Sequence, residues 1–236
     1  MMDRRTWVRL VAALVLMLGS AGKAAWGGED YYVLIFGSQS NPKLLRNTHT
    51  WATFVRAVGE GSDPRSHTLQ VRTISWLPQS LEVHVLRPWP EPGVNLDLYQ
   101  TLNVVLAHRE NITMWGPFVI RKELYDRSLD IHQIIATGAP QYRAVSTQQN
   151  ILISDCIHAV AAVDPEFGRG HYPLIRIGKP ASRYIARQLM IRSPIDQTLY
   201  DNSWLIPRLG LDRYPIEVVP PQRIPQRGCL LCRFPE

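Results

Sequence analysis

Cys156 and His49 are the residues whose types suit nucleophilic chemistry, although they lie far apart along the chain. The thiolate is the reactive form of cysteine, and unpaired N–H groups at the start of a helix favour the anion. The run Ile153-Ser154-Asp155-Cys156-Ile157-His158-Ala159-Val160 predicts a helix beginning at Cys156, with Asp155 or Ser154 as its N-cap. Such a nucleophile needs a base within reach. His49 opens a strand-like run after Asn47-Thr48 and beside Thr50. If residues 49–58 and 68–77 pair as a hairpin about residues 62 and 63, His49 falls opposite Ser75 or Trp76, and Ser75 or Thr73 would orient the imidazole. A slip of one residue would turn His49 to the other face of the sheet. His158, two residues beyond Cys156 on the same helix, points away from the thiol and reads as a structural hydrogen-bonder.

Each of these residues also has a plainer reading. A free cysteine often behaves as a small buried hydrophobe, and a histidine at a strand end often bonds only to backbone. The cysteine count of 3 is odd. Cys229 and Cys232 form a C-x-x-C close enough to make a disulfide with each other, which leaves Cys156 as the lone thiol. No second Cys or His pair accompanies them to complete a zinc site, and they do not open a helix after a strand as redox pairs do. His67, His84, His108, His132 and His171 lack metal-ligand spacing, and no H-E-x-x-H occurs. Neither a metal nor a cofactor is expected.

The elements that must position these groups are legible in outline. Tyr31–Phe36 reads as a strand, followed by the two strands of the hairpin, whose connection Gly59-Glu60-Gly61-Ser62-Asp63-Pro64 is turn chemistry. Leu81–Leu86 reads as another strand before Pro88, Pro90 and Pro92 break regular structure. Helical spacing runs over 96–107 and again over 120–137, where Gly138 sits in the position of a C-terminal cap. Trp115-Gly116-Pro117 reads as a turn and Tyr142–Val145 as a short strand. Pro180 falls in the first turn of a helix from Lys179 to about Arg192. Beyond Ser193 the chain reads as a proline-rich, mostly irregular arm.

At the N-terminus, Arg4, Arg5 and Arg9 precede an apolar run from Leu10 to Leu18 and the small residues Gly19 to Gly22. This is the layout of a cleavable signal peptide, residues 1–25, and the run is too short for a spanning helix. Arg4-Arg5-Thr6-Trp7 suits either the general or the twin-arginine export route. The signal accounts for +3 of the net charge of +6, and the remaining basic residues are scattered, so nucleic acid is not expected as a partner. An apolar content of 45% suffices for one core without disulfides. The expected organisation is an α+β domain over 29–217 and a tail over 218–236, exported to the periplasm or the exterior, with no membrane span in the mature chain.

His49-Thr50-Trp51-Ala52-Thr53-Phe54-Val55, Thr73-Ile74-Ser75-Trp76-Leu77-Pro78 and the Asp155-Cys156-Ile157-His158 helix start together resemble the circularly permuted NlpC-type branch of the papain-like hydrolases. That branch includes lecithin retinol acyltransferase and bacterial amidase-like proteins. In it the histidine comes first, on the opening strand of a small antiparallel sheet, and the cysteine later, at a helix start. The resemblance covers about residues 30–190 and extends to an exported bacterial group. It implies a papain-like fold with Cys156 as nucleophile, His49 as base, and Ser75 or Thr73 behind it, acting on an amide, peptide or ester bond of a peptide, cell-wall or acyl substrate. This chain has Asp155 where the branch often has asparagine, and an anion beside the thiol raises its pKa. The rival expectation is an exported scaffold or binding protein that keeps the core without catalysis.

Overall fold

The computed structural model describes residues 28–145, 151–164 and 177–224. Its centre is a pair of long strands, β1 (Gly28–Gln39) and β2 (Thr48–Gly59), antiparallel over their whole length. Both are apolar on both faces, so the sheet they found must be covered on both sides. Val33, Ile35, Ala52 and Phe54 face one layer, and Leu34, Phe36, Trp51 and Val55 face the other. β3 (Thr68–Ile74) extends the sheet beyond β2. On the other side of β1, β6 (Asn111–Val119) pairs antiparallel with β1, and β9 (Ile216–Val219) lies parallel beside β6. A second sheet of short strands, β4 (Trp76–Pro78), β5 (Glu91–Asn95), β7 (Gln141–Tyr142) and β8 (Ile153–Ser154), follows in that order.

Helices cover both faces of this mostly antiparallel sheet, a mixed α+β architecture. α1 (Leu98–Ala107) buries Leu98, Leu102 and Val105 in the Trp51 layer, with the short α5 (Leu205–Arg208) beside it. α1 begins with a capping box, in which Asp97 accepts from the Gln100 amide while the Gln100 side chain accepts from the Asp97 amide. The Phe54 layer holds α2 (Lys122–Ala136), α3 (Cys156–Ala161) and α4 (Lys179–Arg192). α4 lies directly on β1: a Cβ on Gly37 would sit 2.5 Å from Ser182 Oγ and 3.0 Å from Lys179 Cα, so glycine alone permits this approach. Among the described residues no helix is long and apolar enough to cross a membrane.

Several expectations are corrected by tertiary context. Trp115-Gly116-Pro117 is not a turn but the middle of β6; a register shift opposite Val33–Ile35 accommodates Gly116, at φ +107°, inside the central sheet. Leu81–Leu86 keeps its alternating exposure but forms no strand, because Leu81, at φ +61°, turns the chain away from β4 and leaves the run without a partner ladder. Tyr142–Val145 contributes only Tyr142 to a strand. As far as residue 224 the arm beyond Ser193 is not irregular: it carries α5 and then β9, whose span crosses the expected domain boundary at residue 217. The expected signal peptide and the Cys229–Cys232 pair lie outside the described residues.

Candidate functional site

β8 delivers the chain into α3, and the indole Nε1 of Trp76 donates to the Ser154 carbonyl at 3.2 Å, holding the entry. Asp155 is the N-cap: its Oδ1 accepts from the amides of Ile157 at 2.9 Å and His158 at 2.8 Å. Its Oδ2 pairs with His158 Nδ1 at 2.7 Å, which makes His158 part of the cap. Burial opposes the charge of His158, but the hydrogen bond and charge of Asp155 outweigh it and raise the imidazole pKa.

Cys156 stands where it was expected, as the first residue of α3, and is 8% exposed. Its thiol is nevertheless pushed up to about 12, first by burial and then by the charge of Asp155. The backbone amides of Thr50, Cys156 and Ile157 hydrogen-bond toward the sulfur and oppose that rise without reversing it. The expectation that a helix start depresses the pKa of this thiol is therefore overturned: desolvation exceeds what a few amides return. At neutral pH the sulfur is a protonated thiol.

His49 does meet Ser75, with 2.9 Å between Nε2 and Ser75 Oγ, but across a diagonal: the β2–β3 ladder pairs Ala52 with Ile74 and ends there, so its register differs from the expected His49–Ser75 or His49–Trp76 pairing. Thr73 is engaged elsewhere, hydrogen-bonded to Thr53 at 3.0 Å. Neighbouring residues of a strand face opposite ways. Thr50 turns toward α4 and hydrogen-bonds Ser182 at 2.9 Å, while the His49 ring stacks on Trp51 in the other layer, centroids 5.3 Å apart. Sulfur and imidazole thus reach β2 at successive residues from its two sides, just past Ile74, where β3 has ended. They are not hydrogen-bonded, and His49 Nδ1 is buried without a partner. Burial lowers the His49 pKa to about 3, so the ring is neutral.

Cys156 lines a cavity of about 180 Å³ with Thr48, Tyr142, Asp155, His158 and Gly178. Val83 and Val85, from the run expected to be a strand, form part of its apolar wall. Two participants escaped sequence reasoning. Tyr142 is buried beside Cys156, and Glu110 is buried on the His49 side of the sheet. Periodicity has no means of bringing either to a site, since Glu110 lies past the end of α1, Tyr142 sits in a two-residue strand, and long-range pairing places both. Comparison with known proteins finds no family model, no curated protein and no solved structure that matches this chain.

Proposed function

We propose that this chain is an exported papain-like cysteine hydrolase or acyltransferase of the permuted NlpC type, acting on an amide, peptide or ester bond. One observation carries the reading: Cys156 opens α3 and lines a cavity with its sulfur against the Thr50 amide, one residue along β2 from His49, whose ring lies on the other face with Nδ1 unpartnered. The neutral thiol and neutral imidazole favour general-base attack over a standing ion pair. The sulfur bonds to the carbonyl carbon as its proton passes to His49 Nδ1, which requires the ring to turn from the Trp51 face of β2 toward the sulfur, and the carbonyl π pair moves to oxygen. The oxyanion lies near the start of α3, where backbone amides stabilise it. Collapse expels the amine or alkoxide, which takes the proton back from His49. Water then attacks the thioester with His49 again accepting the proton, and the departing sulfur recovers it.

A second reading is an exported scaffold or binding protein that retains this core. It is favoured by the burial of both groups, at 2% exposure for His49 and 8% for Cys156, and by the missing sulfur–imidazole hydrogen bond.

Reaction with 4-nitrophenyl acetate separates the two. The catalytic reading expects nitrophenolate release with an acetyl adduct on Cys156, abolished by Cys156→Ala and slowed about a hundredfold or more by a folded His49→Gln. Release at the uncatalysed rate with no adduct on the wild type establishes the scaffold.

A further inference from the structure

Glu110 is a carboxyl in an unusual place. α1 ends in a Schellman motif, with the Arg109 amide donating to the Leu106 carbonyl at 2.9 Å and the Glu110 amide to the Val105 carbonyl at 3.0 Å. Arg109 occupies the left-handed position at φ +55°, a conformation that glycine adopts more cheaply. The next position commonly carries an apolar side chain that packs back on the helix. Here it carries Glu110, only 5% exposed.

The carboxylate is directed at the sheet. Ser38 Oγ donates to Glu110 Oε2 at 2.5 Å. Ser38 is the direct cross-strand partner of His49 in the β1–β2 ladder, so the two side chains share a face at neighbouring positions. Seen from the imidazole, Ser75 lies on the β3 side and Ser38 with Glu110 on the β1 side. The ionisable neighbour paired with Glu110 is His108, whose Nδ1 is 3.7 Å from Oε1 and whose side chain is 41% exposed. Among the described residues no lysine or arginine forms an ion pair with Glu110. A buried carboxyl without a fixed cation, behind an imidazole without a fixed anion, suits a site where positive charge arises only transiently.

We propose that Glu110, acting through Ser38, is the charge partner of His49: a positioning residue that holds negative charge behind the ring and stabilises the imidazolium formed when His49 takes the thiol proton. This rests on the Cys156–His49 reading for its catalytic meaning, although the coupling between Glu110 and His49 stands by itself. Burial raises the Glu110 pKa to about 7, against the opposing hydrogen bond from Ser38, so the partner ionises in the neutral range.

The test follows the His49 ring signals by NMR in the full chain from pH 5 to 9, assigned with His49→Gln. The His49 signals should move with a midpoint near 7 while the ring stays neutral; Glu110→Gln should abolish that movement and His108→Gln should leave it. Ser38→Ala removes the donor that favours the carboxylate, so it should displace the midpoint upward; it serves as the independent check should Glu110→Gln not fold. Acetylation of Cys156 by 4-nitrophenyl acetate at pH 8 should slow about tenfold or more in Glu110→Gln and recover in part in Glu110→Asp. A His49 signal that does not titrate, or whose movement survives Glu110→Gln and disappears in His108→Gln, overturns the proposal. Absence of acetylation in the wild type, with the titration intact, defeats the hydrolase reading and leaves the coupling standing.

Discussion

His49 and Glu110 are both buried, and burial moves their pKa values in opposite senses, which ties stability to pH in two opposed ways. His49 stays neutral down to about 3 in the fold, against its ordinary value of 6.5, so its stabilising contribution is present above 6.5 and is lost as pH falls. Glu110 keeps its proton up to about 7, against an ordinary value of 4.5, so its contribution is present below 4.5 and is lost as pH rises through 7. Each amounts to at most about 3–5 kcal/mol. Between pH 4.5 and 6.5 the two slopes oppose each other. Relative to wild type, Glu110→Gln should therefore gain stability with rising pH across that window, and His49→Gln should lose it. Urea unfolding midpoints at three pH values in the window read both slopes. Two parallel lines would show that neither group titrates as its burial demands.

At the level of the element, the start of α3 sets the cap against the thiol. Asp155 accepts two backbone amides and the His158 ring, which stabilises the helix entry, yet its charge also keeps the Cys156 proton on. Asp155→Asn keeps an acceptor for the amides and removes the charge, so the Cys156 pKa should fall below its value of about 12. The pH dependence of carbamidomethylation of the native protein measures this, with the midpoint moving down. Asp155→Ala should also lose the cap and cost about 1–2 kcal/mol in urea unfolding. An unchanged alkylation midpoint in Asp155→Asn would assign the whole rise to burial.

Over the whole molecule, the sheet is closed at one side by chain that looks irregular in sequence. β9 covers the edge of β6, and Ile224, 4% exposed, enters the same core layer as Cys156. Removing residues 215–236 should expose the β6 edge, lower the melting temperature and promote self-association, because an unpaired edge recruits other strands. Thermal melts and light scattering of the shortened chain test this; a monomer with an unchanged melt would mean that β9 is not needed to close the sheet. The site depends on the same long-range order, since Ser38 of β1, Thr50 of β2, Ser75 between β3 and β4, Glu110 beyond the end of α1 and Ser182 of α4 come to His49 and Cys156 from separate parts of the chain.

The local features were legible in the residues because they are governed by neighbours in the chain. Asp155 capping α3, Pro180 in the first turn of α4 and Gly138 past α2 at φ +73° all follow from short-range stereochemistry. The faces were not legible. β1 and β2 are apolar on both sides, so their alternation carries no polar mark to show which residues look toward α3 and which toward α1. Only the packing of the two layers decided that Thr50, and not His49, turns toward the helices around Cys156, that β6 continues through Gly116-Pro117, and that Glu110 reaches Ser38, the cross-strand partner of His49. Sequence by itself determined the groups and their local supports; desolvation and sheet pairing, which depend on residues far away along the chain, set their protonation and their partners.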